Sequence, residues 1–127
     1  MAHKKVDEKV RTIVLTPRDL GLGHFSYASK ILDPTLLKKC GERNSNDVEL
    51  IPLEFVDAVF RQYSKKKRGE GAYVATEMIR KENGEYLYYI RWCPPVISWV
   101  LEFEIVTPLL RFSDGIRFIF RLRKKSA

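Results

Sequence analysis

Ile116-Arg117-Phe118-Ile119-Phe120-Arg121-Leu122-Arg123 decides the fold, because its side chains alternate between apolar and cationic. Successive residues of a strand point to opposite faces. Ile116, Phe118, Phe120 and Leu122 then share one face, and Arg117, Ile119, Arg121 and Arg123 the other. Lys124 and Lys125 follow directly. The pattern predicts a half-buried strand with a cationic outer surface. Phe118 and Phe120 are expected inside, with Arg117 and Arg121 projecting the opposite way.

Working back from this strand, a period of two continues to about residue 72. Ser113-Asp114-Gly115 reads as a three-residue hairpin loop with glycine in the left-handed position, pairing Phe112 with Ile116 and Leu110 with Phe118. Residues 96–106 form another expected strand, with Ile97, Trp99, Leu101, Phe103 and Ile105 on one face and Glu102 and Glu104 on the other. Pro108 marks a break at its end. Pro94-Pro95 closes the preceding ribbon. Asn83-Gly84 is a two-residue hairpin signal, which predicts a type I′ turn and pairs 73–81 with 85–92.

The first half reads differently. Residues 11–16, Arg-Thr-Ile-Val-Leu-Thr, are β-branched and predict a first strand. Thr16-Pro17 and Asp33-Pro34 each place a capping side chain before a proline, which suits the start of a helix. Gly21 and Gly41 are the expected stops, and Ser26 is expected to cap a short helix over 27–32. A polar loop covers 42–47, and 48–51 is extended. Pro52 opens the longest helix, where Leu53, Val56, Val59, Phe60 and Tyr63 fall on one face. The resulting expectation is an α+β fold. It has an N-terminal strand, short helices and one longer helix packed on one face of a C-terminal antiparallel sheet of four to five strands. Residues 1–127 form one domain, with 1–9 a polar lead-in.

Composition narrows the function classes. At 127 residues the chain is long enough for one core, and 45% hydrophobic against 31% charged residues is the balance of a folded domain. The net charge of +7 favours encounter with nucleic acid, anionic lipid or an acidic protein. Two cysteines, Cys40 and Cys93, make no disulfide framework. No apolar run approaches the ~20 residues of a membrane span, and no signal peptide is evident, so a cytoplasmic setting is expected.

The candidate site is basic. Arg91, Arg111, Arg117, Arg121 and Arg123 lie in the C-terminal strands, with Tyr73, Tyr86, Tyr88 and Tyr89 close in sequence. Sheet surfaces that bind single strands combine cations with aromatic platforms. Lys65-Lys66-Lys67-Arg68 adds four cations at the end of the longest helix, where they would grip phosphate or answer the helix dipole. In the competing arrangement, Glu102 and Glu104 pair with the arginines and leave a neutral face. The chain lacks the consensus of an RNA-recognition module. Gly21-Leu22-Gly23-His24 before a helix is too little for a nucleotide fingerprint. His3 and His24 are the only histidines, no serine elbow surrounds Ser26, Ser29 or Ser98, and no metal-ligand spacing occurs.

The leading expectation is a non-enzymatic, basic binding module for RNA or another single-stranded nucleic acid, needing no cofactor or metal. One alternative is a protein-interaction or homo-oligomerisation domain using an aromatic sheet face. The other is a small-molecule or enzymatic pocket between sheet and helices.

Overall fold

The computed structural model describes residues 10–43, 46–65 and 69–124. The lead-in at 1–9, three cations of the basic run (Lys66, Lys67 and Arg68) and Lys125 lie outside the described residues. In chain order the elements are β1 (Thr12–Leu15), β2 (Ser26–Tyr27), α1 (Ala28–Ile31), α2 (Pro34–Glu42), β3 (Asn46–Glu49), α3 (Val56–Tyr63), β4 (Ala72–Val74), β5 (Ile79–Lys81), β6 (Gly84–Cys93), β7 (Ser98–Ile105), β8 (Arg111–Phe112) and β9 (Phe118–Lys124). A 3-10 turn at Leu53–Phe55 leads into α3, and another at Pro94–Val96 separates β6 from β7.

The chain is mixed α+β, but its sheet is not the antiparallel one of four to five strands that the pattern predicts. Seven described strands form one mixed sheet. β9 is its hub. It pairs antiparallel with β1 (Ile13 opposite Phe120) and with β3 (Val48 opposite Leu122), and parallel with β4 (Tyr73 opposite Phe118). β4 and β5 both pair with β6, and β7 pairs with β6 along its whole length, from Cys93–Ser98 to Tyr86–Ile105. The short strands β2 and β8 make a separate two-stranded ribbon.

Helices cover both faces of the sheet rather than one. On one face α1, α2 and the β2–β8 ribbon close over Phe118, Phe120, Leu87 and Val106. On the other, Val56, Val59 and Tyr63 of α3 pack on Ile119, Val74, Ile90 and Trp99. Phe118, Ile119 and Phe120 are therefore all buried in succession. A strand covered on both sides reads as a continuous apolar run, and Phe-Ile-Phe is that run. Phe118 and Phe120 lie inside, as alternation predicts. The opposite face is cationic only where α3 stops covering it.

Local expectations divide along the same physical lines. Asp33 caps α2 by accepting from the Thr35 N–H at 2.9 Å, with Pro34 in the first turn. Gly41 does not stop α2. It is buried within the helix and lets it lie directly on β3, since a Cβ there would sit 3.1 Å from the Asn46 carbonyl oxygen. Thr16-Pro17 opens a turn rather than a helix; Thr16 and Asp19 exchange side-chain to backbone hydrogen bonds, and Gly21 at φ 78° ends it. Ser26 belongs to β2 instead of capping a helix, and its hydroxyl donates to the Gly23 carbonyl.

The hairpin between β5 and β6 turns one residue earlier than Asn83-Gly84 suggests. Glu82 and Asn83 form the loop, Lys81 pairs with Gly84, and only Gly84 has positive φ, so the turn is not type I′. The observed register sets Arg80 against Glu85, with an ion pair of 2.8 Å. The expected register would have opposed Glu82 to Glu85, and like charges directly across a ladder are unfavourable. The expected strand over 73–81 is also broken at 75–78, where Ala75 and Thr76 turn inward. Likewise β7 starts at Ser98, because Ile97 adopts a left-handed φ of 49° after the prolines. Phe112 and Ile116 do not form the expected hairpin. β8 leaves to pair with β2, and Phe112 instead packs edge-on against Phe118, ring centroids 5.2 Å apart.

Candidate nucleic-acid interface

Three strands meet at the C-terminal end of β9. β1 lies along one edge and β3 along the other, so side chains from all three converge where α3 no longer covers the sheet. Arg121 and Arg123 alternate outward from β9, and Arg11 arrives from the residue before β1. These three, with Lys124, Val10, Phe55 and Leu122, line a cleft of about 220 Å3. The segment carrying Val10 and Arg11 is held in place by α3. The Gln62 side chain accepts from the Val10 N–H at 2.6 Å and donates to the Val10 carbonyl at 2.8 Å.

The three arginines of the cleft are restrained in different ways. Arg123 donates from Nε and Nη2 to Glu49 Oε2, at 3.1 and 2.9 Å. The Arg121 guanidinium lies 5.1 Å over the Phe55 ring, a cation–π contact that fixes the head group without neutralising it. Arg11 makes a long 3.4 Å bond to the neutral amide oxygen of Asn46. Four cations thus line the cleft, and Glu49 is the carboxylate ion-paired to them among the described residues. Asp47 and Glu49 both line the neighbouring groove between α2 and β3, together with Lys38. In the β3–β9 register Asp47 lies opposite Arg123 and Glu49 opposite Arg121, so the two carboxylates flank the cleft on its β3 side while Arg11 and Lys124 stand away from them.

The structure brings together only part of the sequence-derived set. Arg121 and Arg123 share the cleft, and Lys65 follows the far end of α3 from Phe55. Arg91 lies near the C-terminal end of β6, before the 3-10 turn at Pro94–Val96, and donates from Nε to Glu102 at 2.9 Å. That hydrogen bond holds the Glu102 carboxyl below its ordinary range and raises the Arg91 guanidinium. Here the neutral arrangement foreseen for Glu102 is realised. Arg111 sits on the separate ribbon, stacked 4.7 Å over Tyr27 and donating to its hydroxyl at 2.7 Å. Arg117 reaches Glu70 at 3.4 Å, at the opposite end of β9 from the cleft.

Arg11, Phe55 and Lys124 complete the cleft but were not in the sequence-derived set. Arg11 had one available signal, being a cation at the start of a strand expected to pair somewhere. Phe55 had none, since its position depends on the 3-10 turn before α3. The tyrosines also divide. Tyr86 and Tyr88 gather with Phe103 on the α3 face, Tyr88 stacked on Phe103 at 4.4 Å. Tyr73 and Tyr89 meet on the other face at 4.7 Å. None of the four lines the basic cleft.

His24 is tied to Asp114 through Nδ1 at 3.1 Å, and Arg18 shares the same carboxylate. The Arg18 hydrogen bond, more than the nearby charges, holds Asp114 below the usual carboxylate range. This cluster anchors a turn. No group of three or more potential ligands capable of holding a metal occurs among the described residues. No described helix is long and apolar enough to cross a membrane. No protein-family model matches the chain, and neither a curated protein nor a solved structure shows significant similarity to it.

Proposed function

We propose that this protein is a non-enzymatic binding module that engages the phosphate backbone of single-stranded nucleic acid at the C-terminal end of β9. The observation that carries this reading is the convergence of Arg11, Arg121, Arg123 and Lys124 on one cleft beside an aromatic ring. Phosphates are point-like anions that need fixed cations and little desolvation, and an open surface of this kind suits them. Phe55 adds a π-surface next to the cations, the pairing on which sequence-tolerant single-strand binding rests. The overall charge of +7 would steer encounter.

Fluorescence anisotropy with labelled single-stranded RNA and DNA, at low and moderate salt, tests the reading. Binding should weaken steeply with salt, because each neutralised phosphate releases counterions. The triple change Arg11→Glu, Arg121→Glu, Lys124→Glu should abolish it while the circular dichroism spectrum stays native. A folded protein that binds neither strand at low salt overturns the proposal.

Self-association is the second reading. β7 pairs only with β6 among the described residues, which leaves its other edge open. Phe103 and Ile105 on that strand are 43% and 59% exposed. Light scattering across a concentration series tests it. A dimer that is lost on Phe103→Lys would favour this reading, and a monomer throughout would remove it.

A further inference from the structure

We propose that the cleft at the N-terminal end of β9, walled by Tyr73, Tyr89 and Arg117, binds a small organic carboxylate. The cleft has a volume of about 350 Å3 and is completed by Glu70, Gly71, Gly115 and Ile116. That volume lies within the range of small-molecule sites. It is separate from the basic cleft proposed for nucleic acid, with which it shares no lining residue.

Arg117 supplies the charge. Its guanidinium carries five N–H donors, and its ion-pair partner among the described residues is Glu70, through one contact of 3.4 Å. The Glu70 side chain is 80% exposed. An exposed single-contact pair contributes little, so an incoming carboxylate can displace Glu70 and take a bidentate geometry on the same group. Glu70 thus already marks the acceptor type that fits.

The two tyrosines supply neutral donors. Their rings sit 4.7 Å apart, and the Tyr73 ring is held by Phe112 and Phe118 at 5.1 and 5.3 Å. The ring faces of Tyr73 are therefore used in packing, which leaves its hydroxyl as the functional end. Neither hydroxyl has a hydrogen-bond partner among the described residues, and no side-chain polar atom is buried without one, so both remain reachable. Burial is the main cause that raises both phenols above their ordinary value, Tyr73 to about 12, so both keep their protons at neutral pH. A protonated phenol can donate to a carboxylate oxygen. Tyr63 is excluded from this role because its hydroxyl donates to the Glu70 carbonyl.

The shape and the surrounding charge narrow the ligand further. Gly71 lies so close to Tyr89 that a Cβ would stand 2.5 Å from its hydroxyl oxygen and 2.5 Å from the Ile90 carbonyl oxygen. Only glycine lets Tyr89 occupy this wall. Glu104 acts electrostatically on both tyrosines, and Glu70 stands at the rim. With Glu70 displaced into solvent, Arg117 matches one negative charge, and the Glu104 charge opposes the second charge of a phosphate dianion. Ile116 and the tyrosine rings offer apolar surface for the organic part.

The test is an NMR titration of protein carrying 13C-labelled tyrosine rings, with benzoate as the probe and inorganic phosphate as the comparison. Benzoate should shift Tyr73 and Tyr89 saturably, and phosphate should not. Arg117→Gln should abolish the saturable shift. Glu70→Gln, at an exposed position that leaves the core intact, should tighten binding about two- to fivefold, the worth of an exposed ion pair. Non-saturable shifts, equal shifts with phosphate, or unchanged affinity in Glu70→Gln would each overturn the proposal.

Discussion

Replacing Ile119 by alanine tests the architecture more sharply than any change at the phenylalanines. In an amphipathic strand with one solvated face, Ile119 would lie among arginines and its truncation would cost little. Surface substitutions of that kind usually stay within about 0.5 kcal/mol. In the structure Ile119 is 1% exposed and packed between Val74, Ile90 and the apolar face of α3. Removing a fully buried isoleucine side chain down to Cβ costs about 2–5 kcal/mol, from lost transfer energy and the cavity left behind. At roughly 2.1 cal/mol/K per residue, the unfolding entropy of 127 residues is about 270 cal/mol/K, so each kcal/mol lowers Tm by about 4 °C. The expected fall is then about 7–19 °C. Urea denaturation followed by circular dichroism measures the loss directly, with Phe120→Ala as the benchmark at about 3–5 kcal/mol. If Ile119→Ala cost less than about 0.5 kcal/mol while Phe120→Ala cost its full share, α3 would not cover this face and the two-sided sheet would be wrong.

Gly71→Ala should destabilise the protein by about 1–3 kcal/mol, because the new methyl meets the Ile90 backbone oxygen, which cannot rotate away; urea denaturation checks it. Stability should also fall between about pH 10 and 12. The Tyr73 phenol is pushed up to about 12 by burial first, then by Glu104 and Tyr89. The folded state thus holds a proton that the unfolded chain releases near pH 10, and the stabilisation present below pH 10 is lost as pH rises through 12. Tyr73→Phe should flatten that part of the profile, as read from urea midpoints across the alkaline range.

Much of the strand content was legible because period-two alternation is a local property. β1, β6, most of β7 and β9 lie where the pattern puts them, and Asp33-Pro34 starts α2 because a cap and a proline act within one turn. What escaped depends on contacts far apart in the chain. Whether Ile119 faces water or α3 is decided by a helix about sixty residues away, and no pattern within 116–123 contains that information. The register at Glu82-Asn83 sets Arg80 rather than Glu82 against Glu85, a cross-strand match that the Asn-Gly turn signal does not contain. The site behaved similarly. Arg121 and Arg123 were visible as cations on one strand, but Arg11 joins them only because β1 pairs with the same strand from across the chain.

The position of β9 has a consequence for how this protein can come into being. Among the described residues β1 and β3 have β9 as their strand partner, and β4 has it as its second neighbour beside β6, yet β9 is the last described element to be synthesised. A ribosome must make β1 and β3 long before the strand that closes them. Until Phe118–Lys124 emerges, the apolar faces of α2 and α3 have no central strand to share. Pairings this distant must close long loops before they gain contacts, which slows folding. Closure of β1 and β3 is therefore a late step, whereas β4 to β7 can pair with one another earlier. A chain ending just before Phe118 would present open strand edges and two half-built cores, the features through which nascent chains aggregate or recruit chaperones.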